Sequence, residues 1–267
     1  MDMNKILLLA CMLVGGLTAH AQGYTKTQDR EAVPFEKMKG SMVLFTFGQS
    51  NSANFGQRDY RYTCKKEVYN YFNDTIYKAK DPLLGADGGW ASVWTLVGDK
   101  LIEKGLAKSV TVFPIGVGGV EVAAWAKGGK LHDRLLKALD EVVKHSIEID
   151  YICWHQGESD NIANTPKEVY IERFLTIREA IRSRGIKAPI IVAVASYHPN
   201  CLEEDLGRSK EIREAQMELA KRYDDIFVGP DTDKLDQLYQ RADGVHFSHM
   251  GQRMHADMWV KAIKHCK

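Results

Sequence analysis

Short apolar runs that alternate with amphipathic segments are the feature that most constrains the fold of this 267-residue chain. The run at 189–195, PIIVAVA, is apolar throughout, as is typical of a strand covered on both faces. Such strands with helical segments between them predict a parallel sheet that carries helices on both sides. We predict strands at 42–47, 109–115, 150–154, 189–195 and 225–228, and helices at 91–104, 133–145, 166–184, 210–223 and 249–265. The predicted fold is therefore α/β, a three-layer doubly wound sandwich around a mostly parallel five-stranded sheet.

Two stretches lack a clear periodicity. Residues 22–40 are polar and predict an extended lead-in, and residues 57–90 predict an irregular surface excursion near the functional site. The second stretch is rich in tyrosine, and its aromatic rings either stack on a ligand or cover the edge of the sheet. These tyrosines are Tyr60, Tyr62, Tyr69, Tyr71 and Tyr77.

The N-terminus has the pattern of a secretory signal peptide. Lys5 precedes the apolar run 6–14, and Ala19-His20-Ala21 resembles a cleavage site. The apolar run is too short to span a bilayer. We predict that residues 1–21 are removed, that residues 22–267 form one domain, and that the protein is secreted or periplasmic. A lipoprotein anchor at Cys11 is the alternative.

Composition excludes several classes of protein. A net charge of +1 with scattered basic residues gives no reason to expect a nucleic-acid partner. No cysteine or histidine cluster has zinc-site spacing, so we predict no metal and no cofactor. Export makes a disulfide possible, but the sequence leaves its pairing open, and it also leaves the oligomeric state open. The cysteines of the predicted mature chain are Cys64, Cys153, Cys201 and Cys266.

Unusual polar segments follow the predicted strands at their carboxyl ends, where open parallel sheets bind ligands. The first strand leads into GQSN at 48–51, the second into GVGG at 116–119, and the third into WHQGESD at 154–160. DGVH at 243–246 follows the fifth strand and precedes the last helix. The fold is expected to bring all four segments to one edge of the sheet.

These segments contain the parts of a nucleophilic ester hydrolase. A serine hydroxyl needs a base to remove its proton, and a histidine held by an acid can do this near neutral pH. Ser50, His246 and Asp243 supply those three groups. The N–H groups of Ser50 and Gly119 and the amide of Gln156 are candidate donors to an oxyanion. The alternative is that Ser50 serves only to cap a following helix.

The four motifs together resemble the SGNH hydrolase superfamily, and within it the sialate O-acetylesterase and acetylxylan esterase branch of carbohydrate acetylesterases. The resemblance spans roughly residues 42–260, and it implies a flavodoxin-like sandwich with Ser50 as nucleophile and His246 as base. It also implies Asp243 as the acid, with Gly119 and Gln156 in the oxyanion hole. Glu158 has either a structural role or a role in supporting the histidine, and the sequence does not rank it against Asp243.

We further predict that Gln49, Asn51 and Trp125 contact the substrate, although Trp125 alternatively packs in the core. The function that the resemblance implies is an exported, metal-independent serine esterase that removes O-acetyl groups from a carbohydrate or glycan. Two alternatives remain at this point. One is an SGNH lipase or thioesterase, and the other is a carbohydrate-binding protein that kept the fold without the activity.

Overall fold

The computed structural model describes residues 23–201 and 206–266, and its framework is a single mixed sheet. The sheet order is β1-β4-β3-β5-β2-β6-β7-β8. Neighbouring strands from β3 across to β8 are parallel, whereas β4 and β1 are antiparallel at one edge. The strands are β1 (Ala32–Val33), β2 (Met42–Gly48), β3 (Val68–Phe72), β4 (Thr75–Lys78), β5 (Val110–Pro114), β6 (Tyr151–His155), β7 (Ile190–Val194) and β8 (Ile226–Asp231).

All five predicted strands are confirmed as β5, β2, β6, β7 and β8, and together with β3 they form the parallel part of the sheet. The sheet is wider than predicted because β3, β4 and β1 extend it beyond β5. The description of 57–90 as an irregular surface excursion was therefore wrong for its central part. Asn73 and Asp74 both have positive φ, 47° and 59°, and join β3 to β4 in a two-residue hairpin.

The tyrosines of this region divide between two environments. Tyr69 and Tyr71 are buried in the core beneath the sheet extension. Tyr60 lies instead near the carboxyl edge of the sheet, with its ring centroid 4.2 Å from that of His249. Only a part of the predicted aromatic surface is therefore available to a ligand.

Helices cover both faces of the sheet. The five predicted helices are confirmed, and two short helices, α2 and α4, begin just after the polar segments that follow β5 and β6. The helices are α1 (Val93–Glu103), α2 (Val122–Trp125), α3 (His132–Lys144), α4 (Glu158–Ile162), α5 (Lys167–Arg182), α6 (Lys210–Arg222) and α7 (His249–His265).

Strand β2 shows how the sequence produces three layers. Its side chains alternate, so that Phe45 and Phe47 enter one hydrophobic core while Leu44 enters the other. The first core is closed by α3, α5 and α6, and the second by α1 and α7. Since both faces of the central strands are covered, their nearly continuous apolar sequence is explained.

Three predictions concern the ends of the chain and its cysteines. The predicted signal peptide at 1–21 lies outside the described residues, so the structure does not address it. Within the described ranges, no helix is long and apolar enough to cross a membrane. Cys64, Cys153, Cys201 and Cys266 are all free thiols.

Candidate active site

Ser50 lies immediately beyond the carboxyl end of β2. Gln49 N–H donates to His155 O at 2.9 Å, which prolongs the pairing of β2 with β6 by one residue. The chain then forms a single 3-10 turn over Ser50–Ser52, in which Ala53 N–H donates to Ser50 O at 2.9 Å. The predicted helix after Ser50 is therefore only this turn, and Ser50 is its first residue and does not cap it. Ser50 is buried, with 4% of its surface exposed.

The close approach of β2 to β6 depends on a glycine. Gly48 has φ of +132°, and a Cβ atom on it would lie 2.0 Å from His155 O. Any side chain here would push the strand ends apart, because real Cβ atoms do not approach an oxygen so closely. Gly48 thus sets the position of the Ser50 turn relative to the segment after β6.

His246 and Asp243 are joined directly. Asp243 Oδ2 lies 2.7 Å from His246 Nδ1, and Asp243 Oδ1 accepts from the backbone N–H groups of Val245 and His246 at 2.9 and 2.7 Å. Burial alone would raise the pKa of the Asp243 carboxyl, but the hydrogen bonds from His246 hold that pKa well below its usual range. The ionised carboxylate keeps a proton on Nδ1, which leaves Nε2 of His246 as the basic nitrogen.

The predicted oxyanion donors include two unpaired backbone N–H groups. In the described part of the chain, neither Ser50 N–H nor Gly119 N–H has an acceptor. Gly119 has φ of +61° and nothing lies within 4 Å of a Cβ built on it, so this face of the peptide is open. Because β2 and β5 are adjacent parallel strands, their carboxyl ends place both peptides at the same edge of the sheet.

Gln156 is placed differently from the prediction. Its side chain is 0% exposed, and its Nε2 lies 2.6 Å from Asp160 Oδ2, 3.1 Å from Val120 O and 3.2 Å from Gln49 Oε1. These internal acceptors occupy both of its N–H groups. In this structure Gln156 therefore supports the site from within and does not present its amide to an oxyanion.

Gln49 is held through the oxygen of its side-chain amide. Its Oε1 accepts from Gln156 Nε2, from Gly157 N–H at 3.2 Å and from Ser159 N–H at 3.1 Å. Three donors around one atom determine which end of the amide is oxygen. Nε2 of Gln49 has no acceptor within the described ranges, and it is the side-chain donor next to Ser50 in the chain.

Asn51 links three segments of the site. Its Nδ2 donates to Glu158 Oε1 at 2.7 Å and to Val245 O at 3.4 Å, next to His246. Asn51 is almost fully buried, and these two bonds hold the loops together; its predicted contact with a substrate stays a prediction.

Glu158 belongs to a buried network behind the site. The carboxylate is 2% exposed and lies 3.4 Å from His155 Nε2, in addition to its bond from Asn51. Burial would raise its pKa, yet hydrogen bonding and charge attraction from His155, with the Asn51 bond, lower it to about 2. Of the two acids that the sequence left unranked, Asp243 contacts His246, and Glu158 contacts His155 and Asn51.

Trp125 is a core residue. It is fully buried in α2 and packs edge-on against Phe47, with ring centroids 5.4 Å apart. The predicted substrate contact of Trp125 is therefore wrong, and the alternative of core packing is confirmed.

Arg241 is a functional-site residue that sequence reasoning missed, because a single arginine before Asp243 carries no recognisable pattern. It is 3% exposed, and its guanidinium donates to the backbone oxygens of Leu235, Thr232 and Val245 at 2.5, 3.1 and 2.5 Å. The same group lies 4.4 Å from the ring centroid of Phe247. Arg241 thereby closes the loop that carries His246.

Phe55 also escaped the sequence analysis. Its ring stacks on that of His246, with a centroid distance of 5.6 Å and an interplanar angle of 24°. The ring also fills the space beside Gly118, where a Cβ would lie 2.6 Å from it. Phe55 therefore forms a wall between the histidine and the glycine loop.

A group of possible metal ligands occurs elsewhere on the surface. Asp74, Glu141 and His145 each offer a ligand atom within 4.8 Å of the others. The Lys144 amine lies 3.1 Å from Asp74 and already balances its charge. This group includes none of the residues around Ser50.

The fold is the three-layer α/β sandwich that the sequence predicts, with Ser50 at the carboxyl end of its central strand β2. Residues 41–265 match the sequence model of a family described as "Carbohydrate esterase, sialic acid-specific acetylesterase". Because the match covers most of the chain, this protein belongs to that carbohydrate esterase family.

Individual relatives agree with this assignment. A probable carbohydrate esterase of Arabidopsis thaliana, At4g34215, is 30% identical over 115 residues, which are 41% of this chain and 40% of that protein. The matched segment thus spans less than half of the relative. The crystal structure of the Arabidopsis At4g34215 protein superposes with a TM-score of 0.65 at 18% identity, covering 85% of this chain and 98% of that one.

Two bacterial structures share the fold at lower similarity. An acetyl xylan esterase of Geobacillus stearothermophilus, Axe2, has a TM-score of 0.52 at 20% identity, over 85% of this chain and 96% of that chain. A lipase/acylhydrolase of Enterococcus faecalis has a TM-score of 0.54 at 17% identity, over 84% and 96% of the two chains. At these identities the likeness concerns the fold.

Removal of Arg241 tests its role in holding the histidine loop. Arg241→Leu removes one donor from each of three backbone oxygens and leaves that of Leu235 unpaired, so we expect a loss of about 3 kcal/mol in the free energy of unfolding. Urea denaturation measures the loss. Arg253→Leu, on the exposed surface of α7, is the matched control and should change stability by less than about 0.5 kcal/mol. Equal stability of the two variants would contradict the role of Arg241 in holding the loop that carries His246.

The lowered pKa of Glu158 predicts a pH dependence of stability. The folded protein holds this pKa at about 2, below the ordinary value of 4.5. Folding therefore favours the ionised form, and the resulting stability is present above pH 4.5 and disappears as the pH falls toward 2. The full contribution is about 3 kcal/mol.

Glu158→Gln removes this titration. The difference in unfolding free energy between wild type and Glu158→Gln should shrink as the pH falls from 6 to 3. Exposed Glu172→Gln on α5 should give a difference that stays near zero across the same range. If the difference in unfolding free energy between wild type and Glu158→Gln is constant with pH, the lowered pKa of Glu158 is refuted.

Proposed function

We propose that this protein is a serine esterase that hydrolyses O-acetyl esters on carbohydrates. The observation that carries the proposal is the 2.7 Å contact between Asp243 Oδ2 and His246 Nδ1, on the same sheet edge as Ser50. An acid that fixes the proton on Nδ1 leaves Nε2 to act as a base toward a hydroxyl. The family membership of the chain supports an ester as the bond that is attacked.

In the proposed acylation step, His246 Nε2 accepts the Ser50 proton while Ser50 Oγ attacks the acetyl carbonyl. The carbonyl π electrons move to its oxygen, which becomes the oxyanion of a tetrahedral intermediate. When that intermediate collapses, the bond to the sugar oxygen breaks. The electron pair of that bond goes to the sugar oxygen, which takes the proton of the imidazolium, so that an acetyl-Ser50 ester and a free alcohol result.

The oxyanion needs donors that are already in place and not engaged elsewhere. Ser50 N–H and Gly119 N–H meet that condition, and Gln49 Nε2 is the third donor in our proposal. Each such donor is typically worth about 3 kcal/mol of transition-state stabilisation. The three anchoring bonds to Gln49 Oε1 limit reorganisation of this amide during the reaction.

Deacylation repeats the same chemistry with water. His246 removes a proton from the water, which attacks the acetyl-Ser50 carbonyl, and the imidazolium then returns that proton to Ser50 Oγ as acetate leaves. Asp243 stabilises the imidazolium in both half-reactions without itself being protonated, in keeping with the low pKa of its carboxyl.

Acetyl as the acyl group and a carbohydrate as the alcohol are supported by the family description and by the acetyl xylan esterase among the structural relatives. The N-terminal pattern supports export to the periplasm or the medium as part of the same proposal.

Ser50→Ala tests the mechanism. We expect this variant to lose at least about a thousandfold in acetate release from p-nitrophenyl acetate, because the nucleophile is absent. Ser52→Ala, two residues further on in the same turn, is the control and should keep most of the activity if folding is preserved. Full activity of Ser50→Ala would exclude the serine mechanism.

Asp243→Asn tests the acid assignment. The amide no longer favours the Nδ1–H form of His246, so kcat should fall by about a thousandfold or more while the protein stays folded.

A series of p-nitrophenyl esters with two to eight acyl carbons should show the highest kcat/KM for acetate. A maximum at a long acyl chain would favour a lipase or thioesterase instead.

A further inference from the structure

The peptide that carries the Gly119 N–H is restrained from both sides. On one side, Gly118 N–H donates to Asp87 Oδ2 at 3.2 Å. On the other side, Val120 O accepts from Gln156 Nε2 at 3.1 Å. Two consecutive glycines have more backbone freedom than other pairs of residues, so the direction of the N–H between them depends on such anchors. Gln156 is one of these anchors and Asp87 is the other.

Asp87 also joins the glycine loop, residues 116–119, to the segment that begins at Ser50. The N–H of Asp87 donates to Gly116 O at 2.8 Å, and its carbonyl oxygen accepts from Asn54 N–H at 2.9 Å. The backbone of Asp87 therefore connects the two segments from which the backbone oxyanion donors of our proposal come, while its side chain reaches the next peptide of the loop.

The charge of Asp87 lies in an unfavourable place for a hydrolase. Its carboxylate is one peptide away from the Gly119 N–H, and an anion there repels the oxyanion. Asp87 is half-buried, and Gly88 N–H holds its Oδ1 at 2.9 Å. The Arg134 guanidinium lies close enough to interact with the charge of Asp87 and offsets part of it. The carboxylate can therefore favour the reaction only through its contacts, and not through its charge.

We propose that Asp87 is a positioning residue, which aims the Gly119 N–H at the oxyanion by holding the N–H of Gly118. This inference rests on the proposed esterase function. Donors stabilise an oxyanion best when they are already in place, because reorganisation during the reaction removes part of the gain. Without the bond to Asp87, the peptide between the two glycines can rotate. The oxyanion then keeps Ser50 N–H while the second backbone donor is displaced.

Asp87→Ala tests the proposal by steady-state kinetics with p-nitrophenyl acetate. We expect kcat to fall by about tenfold to a hundredfold, which approaches the effect of removing one oxyanion donor. KM should change by less than about twofold, because the affected interaction forms only in the transition state. A role through charge alone would give the opposite sign, since removing an anion would raise kcat. Asp87→Asn keeps the shape and one acceptor oxygen, so it should recover part of the lost kcat.

Asp150→Ala is the matched control. Asp150 Oδ2 accepts from Val43 N–H at 2.7 Å, so this carboxylate also holds a backbone N–H. It precedes β6, at the amino ends of the parallel strands and away from Ser50. Its kcat and KM should stay close to those of wild type, and urea denaturation checks that each variant is folded in the assay. The proposal fails if Asp87→Ala and Asp150→Ala lose kcat equally, or if Asp87→Ala changes KM alone or does not lower kcat.

An NMR measurement separates this proposal from the esterase proposal, because it needs no turnover. In protein labelled with ¹⁵N-glycine, the Gly118 amide should exchange slowly with solvent in wild type and at least about tenfold faster in Asp87→Ala. The Gly119 cross-peak should move in Asp87→Ala and stay in place in Asp150→Ala. If wild type hydrolyses no acetyl ester but this pattern holds, the esterase function fails and the positioning of Gly119 by Asp87 stands. A Gly118 amide that exchanges freely in wild type, or a Gly119 cross-peak that Asp87→Ala leaves unmoved, would overturn the positioning role alone.

Discussion

The turn with Ser50 and the loop with His246 meet through one buried amide, the side chain of Asn51. Its Nδ2 donates to Glu158 Oε1 at 2.7 Å and reaches Val245 O at 3.4 Å, so three segments far apart in sequence share one donor group. Because the amide is excluded from water, an unpaired carboxylate or carbonyl here would cost more than the bonds contribute. The relative placement of nucleophile and base in our proposal therefore depends on this contact. Arg241 adds a second restraint on the same loop from its other side, through Val245 O.

Much of the fold was predictable because strands covered on both faces must be apolar. Continuous apolar runs in the sequence predict the strands β2, β5, β6, β7 and β8. The carboxyl ends of these strands identify the edge of the sheet where a site forms. The β3–β4 hairpin was missed because its sequence mixes polar and aromatic residues and carries a weak turn signal. Asn73 and Asp74 tolerate positive φ, and in retrospect their position between two tyrosine-containing segments marks the turn.

The identity of the site was more predictable than its internal contacts. Serine, histidine and acid follow from what the chemistry requires. The orientation of an amide depends instead on which donors surround it, and those donors come from other segments. The sequence analysis assigned the oxyanion role to Gln156 and a substrate contact to Gln49. The three N–H groups around Gln49 Oε1 show instead that Gln49 is the one that keeps a free amide donor. The role of Arg241 could not be predicted for a similar reason. Its partners are backbone oxygens, which have no sequence signature.

Two carboxylates lie near the candidate site, Asp243 beside His246 and Glu158 beside His155, which raises the question of what each one does. Glu158 is buried and ionised, a state that costs several kcal/mol without compensating partners. His155 and Asn51 provide those partners, and the cationic Arg241 also lies close enough to interact with its charge. A neutral glutamine at this position would remove the anion that these donors surround and leave Arg241 with less compensation for its own burial. Asp243 remains partly exposed, and the hydrogen bonds from the His246 loop offset the desolvation of its charge. The two acids therefore have separate roles in our proposal. Glu158 holds the buried segments behind the site in place, and Asp243 supports His246 during the reaction.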